Sequence, residues 1–239
     1  VVERGGGRGV NMQILKFTND GSELVMRLVD PGHPTSRAEA RANPNPGPFT
    51  YGDPAVLAFL PDGSFYLGDG YWNSRIIKYN ADGEYVMEWG ELGSGPGQFD
   101  LIHGIAVDRD RRIYVADREN DRIQVFGLDG TPRRIIGSGG SDPGHFNAPG
   151  GVAIAPNGDL FVADFYNQRV QQLRAEGKFV RQWGTTGAVG IWSGEFNYPT
   201  DVVLGPGGVL LVADGYNDRV QVFAPDGSFL RKWGGPFGM

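Results

Sequence analysis

Three side chains stand out for the chemistry they could perform: Tyr71, His103 and Arg118. A tyrosine of lowered pKa can move a proton to or from a substrate hydroxyl. An imidazole can serve as metal ligand, general base or polar channel residue. A guanidinium fork suits a carboxylate or a phosphate. Each is set against a repeated background. Arg118 follows Asp117, where its counterparts are Gly70, Phe165 and Gly215. His103 belongs to the column Asp53, His103, Gly150 and Thr200. Tyr71 shares its place, two residues after an Asp, with Tyr166 and Tyr216, so it also reads as a structural repeat residue. What distinguishes it is a loop longer by one residue and the neighbouring Trp72.

The elements that must position these residues come from a repeat of roughly 47 to 50 residues. Val115-Ala116-Asp117 and Arg122-Ile123-Gln124 recur as Val162-Ala163-Asp164 and Arg169-Val170-Gln171, and again as Val212-Ala213-Asp214 and Arg219-Val220-Gln221. Leu67-Gly68-Asp69 with Arg75-Ile76 is a variant. Such a period marks a repeat architecture before any motif is weighed. Each copy is a β-rich run, an Asp, a short polar turn, an Arg and a second β-rich run. The Asp-to-Arg pairs read as hairpin clamps, with the Asp accepting loop N–H bonds and the Arg pairing nearby.

Asp62-Gly63, Asp82-Gly83, Asn157-Gly158, Glu176-Gly177 and Asp226-Gly227 supply the positive φ of tight turns between antiparallel strands. The expected architecture is therefore an all-β propeller of four-stranded antiparallel blades. Four are complete, over residues 49–90, 99–137, 146–184 and 196–234, and residues 1–30 form a partial blade. Trp89, Ile136, Trp183 and Trp233 end the outer strands, where a large apolar group can cover the seam to the next blade. Residues 31–48 are a Pro-rich loop insertion that runs over the surface or overhangs a pocket. Residues 1–239 read as a single propeller domain truncated at both ends, with further blades of the same chain outside it.

Composition narrows the function classes. A net charge of −6 gives no bulk attraction to nucleic acid or to an anionic membrane. No run approaches the ~18 apolar residues of a transmembrane helix. With no Cys, thiolate metal sites and disulfides are excluded. Arg109, Arg111 and Arg112 share a turn with Asp108 and Asp110 and read as a solvated mixed-charge turn, and His33 and His145 read as loop residues open to solvent.

The openings Phe146 to Pro149 and Phe196 to Pro199, the Val-Ala-Asp runs and the Asn-x-Arg-Val/Ile-Gln runs resemble NHL-repeat β-propellers. Residues 52–126, with Asp69 to Arg75 and Asp117 to Arg122, look most like the peptidyl-α-hydroxyglycine α-amidating lyase branch. That likeness implies a lyase splitting peptidylamidoglycolate into a peptide amide and glyoxylate, with zinc held by three His and a structural calcium. Tyr71 and Arg118 match its catalytic Tyr and substrate-supporting Arg, His103 matches one zinc ligand, and Asp201 matches the calcium-binding residue. The third His position carries Thr200. The likeness also implies an extracellular or periplasmic setting. Two readings follow: a binding scaffold for a peptide, protein or small polar ligand on the axial face, or a metal-dependent carbon–nitrogen lyase.

Overall fold

The computed structural model describes residues 2–3, 13–29, 37–43 and 47–235. The Gly-rich loop of residues 4–12, His33 and the last four residues lie outside them. Strands β1 (Val2–Glu3), β2 (Gln13–Phe17) and β3 (Leu24–Val29) form a three-stranded antiparallel sheet. It matches the expected partial blade. Within the insertion, Arg37–Ala42 forms a short helix (α1) that buries Ala40, where only irregular loop was expected.

Four four-stranded sheets follow. The first is β4 (Val56–Phe59), β5 (Phe65–Asp69), β6 (Arg75–Tyr79) and β7 (Tyr85–Trp89). The second is β8 (Ile102–Val107), β9 (Arg112–Asp117), β10 (Arg122–Gly127) and β11 (Pro132–Ile136). The third is β12 (Pro149–Ile154), β13 (Leu160–Asp164), β14 (Arg169–Leu173) and β15 (Phe179–Gly184). The fourth is β16 (Pro199–Leu204), β17 (Leu210–Asp214), β18 (Arg219–Phe223) and β19 (Phe229–Gly234). Each is a meander in sequence order, as a β-propeller blade requires.

The turns behave as their residues dictate. At Asp62-Gly63 the glycine takes φ 84° and donates to the Leu60 carbonyl, while the Asp62 carboxylate accepts the Ser64 N–H. Central strands such as β5 and β13 are buried at every position, whereas β19 is exposed throughout. A strand covered on both faces does not alternate, because neighbouring sheets stack on each side of it.

Two compact units divide the chain, residues 1–105 and 106–239, with the boundary inside β8. In the first, Ile14 and Leu28 of the leading sheet join Tyr51, Phe65, Leu67, Ile77 and Tyr79 in one core. In the second, one core packs Tyr114, Ile123 and Ile136 against Phe146, Val162 and Leu173. Another packs Phe161, Val170 and Trp183 against Phe196, Val212 and Phe223. Of the outer-strand residues, Trp183 covers its seam as expected, lying on Phe223 and donating its indole N–H to the Gly227 carbonyl at 3.0 Å, whereas Trp233 is 46% exposed.

Candidate functional site

The Asp-to-Arg loops are built around a fully buried carboxylate. Asp164 accepts hydrogen bonds from the Asn147 N–H at 2.7 Å, Asn167 at 2.9 Å, Arg169 at 2.8 Å and Gln171 at 3.0 Å. Asp214 repeats this with the Asn197 N–H, Asn217, Arg219 and Gln221. The arginine reaches further. Arg169 donates to the carbonyls of Asp142 and His145, and Arg219 to those of Ile191, Trp192 and Glu195. Burial pushes the Asp164 carboxyl up, opposed first by the Asn147 N–H and then by Asn167 and Arg169. The clamp reading holds, and its reach to the preceding seam loop is what the sequence alone did not reveal.

Closing the loop takes a residue in the left-handed region: Asp121 at φ 53°, Gln168 at 57° and Asp218 at 50°. Two of these also fasten the next blade. Asp121 accepts the Ala148 N–H at 2.7 Å, and Gln168 accepts the Tyr198 N–H at 2.6 Å. With Asp, Asn, Arg and Gln all committed, the two residues after the Asp are left to vary. They are Gly70-Tyr71, Arg118-Glu119, Phe165-Tyr166 and Gly215-Tyr216. Any specificity carried by this end of the blades resides there.

In the first unit Tyr71 and His103 come together, with ring centroids 5.9 Å apart and both residues half-buried. Gly70 makes this possible, because a Cβ there would fall well inside 3.0 Å of the Ile102 carbonyl. The longer loop places Trp72, whose N–H donates to the Gly52 carbonyl at 2.8 Å and whose ring lies beside the core of this unit.

Arg118 belongs to the second unit. Its guanidinium lies 4.8 Å from the Phe165 ring centroid and 6.0 Å from that of Tyr166. Its Nε is buried without a hydrogen-bond partner among the described residues, and Glu119 approaches only to 3.9 Å. Beneath it Phe165, Tyr166, Tyr198 and Tyr216 form a connected group of rings, with centroid separations of 4.8 to 6.2 Å. Tyr166 and Tyr216 are 49% and 65% exposed, so the group presents an open aromatic surface. The repeat alone marks Tyr166 and Tyr216 as structural and gives Tyr198 no part. The usable signal was a fourth aromatic just before the Pro199 that opens β16.

Asp201 sits at a bulge in β16, with its carboxylate against Gly151 of β12 and, among the described residues, accepting only the Val202 N–H, at 2.8 Å. The residue as a whole is exposed, yet the crowding of its carboxylate raises its pKa, with the Val202 N–H pulling the other way. Among the described residues no three His, Cys, Asp or Glu side chains approach closely enough to hold a metal. Catalytic zinc takes three protein ligands and calcium six to eight oxygens. Of His, Cys, Asp and Glu, the described residues around His103 therefore do not by themselves complete the three protein ligands of a catalytic zinc. His145, expected in solvent, is half-buried with its Nδ1 enclosed and unbonded.

Comparison with known proteins agrees with the repeat reading. The NHL repeat model matches residues 99–126, 146–173 and 196–223. Mouse peptidyl-glycine alpha-amidating monooxygenase is 43% identical over 79 residues, covering 30% of this chain and 8% of that protein. Human NHL repeat-containing protein 3 is 35% identical over 115 residues, covering 47% of this chain and 30% of that one. Drosophila melanogaster peptidyl-alpha-hydroxyglycine alpha-amidating lyase 1 is 35% identical over 82 residues, covering 30% and 15%. The chain thus spans less than a third of each of these relatives. Among solved structures, a streptogramin B lyase superposes with a TM-score of 0.58 at 16% identity, covering 77% of this chain and 55% of the other. At that identity the likeness speaks for fold alone. Residues 99–126, 146–173 and 196–223 are thus NHL repeats carried on β-propeller blades.

Proposed function

We propose that this protein is a recognition scaffold whose ligand site is the aromatic surface of Phe165, Tyr166, Tyr198 and Tyr216 beside Arg118. One observation carries the reading. A guanidinium stacked on aromatic rings holds a buried N–H with no hydrogen-bond acceptor among the described residues, and a buried donor left unpaired costs about 1–3 kcal/mol. An anionic or carbonyl group of a peptide, protein or small polar ligand pairs with the guanidinium as a whole, while exposed tyrosines supply rigid contact area. An array of random decapeptides tests this. The native protein binds a subset, and Arg118→Gln loses that subset at least tenfold with an unchanged melting temperature. Equal binding by both proteins sinks the proposal.

A second reading rests on the Tyr71–His103 pair and on likeness to amidating lyases: cleavage of peptidyl-α-hydroxyglycine to peptide amide and glyoxylate. A six-bladed ring, zinc and calcium, and an exported location belong with it, since they come from the likeness alone. Glyoxylate release from a synthetic α-hydroxyglycine peptide, lost in Tyr71→Phe, is the result it requires.

A further inference from the structure

A cavity of about 720 Å³ opens at the other end of the blades, where the strands turn rather than where the Asp-to-Arg loops lie. It is walled by the ends of the inner strands and the neighbouring turns, with Ile154, Phe161, Leu204 and Leu210 as its apolar surface. That volume falls in the range of small-molecule sites. The fourth blade's turn lines the cavity. Pro206-Gly207-Gly208 stands where the third blade has Pro156-Asn157-Gly158, and a Cβ at Gly207 would meet nothing within 4 Å.

The polar groups around the cavity are unevenly committed. Asp159 is 3% exposed and accepts from Gln172 at 2.8 Å and Arg174 at 3.1 Å, so its charge is balanced. Arg181 donates to Gln172 and to the carbonyls of Pro225 and Asp226, and lies 4.7 Å from the Trp183 ring. Arg109 differs. In the mixed-charge turn it is Arg112 that pairs with both Asp108, at 2.6 Å, and Asp110, at 2.9 Å. Arg109 has no ion pair or hydrogen bond among the described residues, is exposed, and faces the cavity. The lining therefore holds two guanidinium groups and one carboxylate in a protein whose net charge is −6.

We infer that this cavity is a second ligand site, distinct from the aromatic surface, which takes a small amphipathic anion. The apolar body lies on Phe161, Leu204 and Leu210, and the anionic group meets Arg109 at the mouth. The probe is 8-anilinonaphthalene-1-sulfonate, with the uncharged N-phenyl-1-naphthylamine as its partner, both titrated by fluorescence. The sulfonate dye should bind saturably with one dye per chain. Arg109→Gln should weaken the sulfonate dye about tenfold, the loss of one charge-assisted hydrogen bond, and leave the neutral dye within twofold. Ala224→Trp, which fills the cavity from the fourth blade, should abolish both. Non-saturable binding, equal loss of both dyes in Arg109→Gln, or unchanged binding in Ala224→Trp with native circular dichroism each overturns the inference.

Discussion

Replacing Asp164 with Asn changes almost no volume but turns one carboxylate oxygen from acceptor into donor, so its cost reports the hydrogen-bond network of the clamp. The carboxylate is fully buried and accepts four hydrogen bonds. An Asn oxygen can still accept the Asn147 N–H. Its NH₂ group then faces Asn167, Arg169 and Gln171, donor against donor. Breaking a buried ion pair by altering one partner costs about 3–5 kcal/mol. Each orphaned donor costs about 1–3 kcal/mol, and these overlap because the same groups are counted in both. The expected loss is therefore about 4 kcal/mol, taken from a total that is typically ~5–15 kcal/mol. Urea unfolding followed by tryptophan fluorescence measures it, with an unchanged slope showing that the folded state is still compact. Glu119→Gln, an exposed neighbour of the homologous loop, should shift the midpoint negligibly. Hydrogen exchange should locate the damage at residues 138–145, the loop that Arg169 holds through the Asp142 and His145 carbonyls. A loss below about 1 kcal/mol, the value of an ordinary surface pair, would refute the clamp argument.

Two further outcomes follow from the close approach of β12 and β16. Gly150→Ala places a methyl group against the Thr200 carbonyl, which is backbone and cannot swing away, and should cost about 1–3 kcal/mol in the same assay. Asp201 has a folded pKa raised by burial, so its ionised form is disfavoured in the native state. Its contribution is best below the unfolded pKa and is lost as pH rises through the folded one. Asp201→Asn should accordingly raise the melting temperature at pH 7, with the gain vanishing as pH falls through the carboxylate range. A lower melting temperature for the variant at pH 7 would show that the carboxylate is serving an unrecognised partner.

Much of the fold was legible because its determinants are local. The Asp-Gly turns, the β-rich runs and the Asp-to-Arg spacing each lie within a few residues, and β9, at Arg112–Asp117, falls where the spacing places it. Even the partial blade could be read, since Gln13–Phe17 and Leu24–Val29 flank an Asn-Asp-Gly turn. The helix Arg37–Ala42 could not be: six residues are too few for periodicity to register, and its burial of Ala40 is a tertiary event. The site was legible only in part. Arg118 was marked by its difference from the counterparts, but its aromatic floor comes from loops on two later blades. Repeat comparison sets Tyr166 and Tyr216 in equivalent columns and gives no hint that Tyr198, from a different column, brings them together. Likewise, Arg109 looked like one member of a balanced turn, and only the geometry shows Arg112 taking both carboxylates.

The reach of the clamp arginines bears on how such a chain can be cut and recombined. Arg169 and Gln171, on the third blade, hold the loop that leaves the second, and Arg219 and Gln221, on the fourth, hold the loop that leaves the third. A cassette drawn around one visible sheet would part every such arginine from the carbonyls it serves. Crossovers at the Asp129-Gly130 and Glu176-Gly177 turns would instead move Asp142, His145, Asp164, Arg169 and Gln171 as one inherited piece. The heritable module of this protein is thus offset from its geometric one by a single strand, and chimaeras joined at those turns should tolerate foreign neighbours that sheet-by-sheet grafts would not.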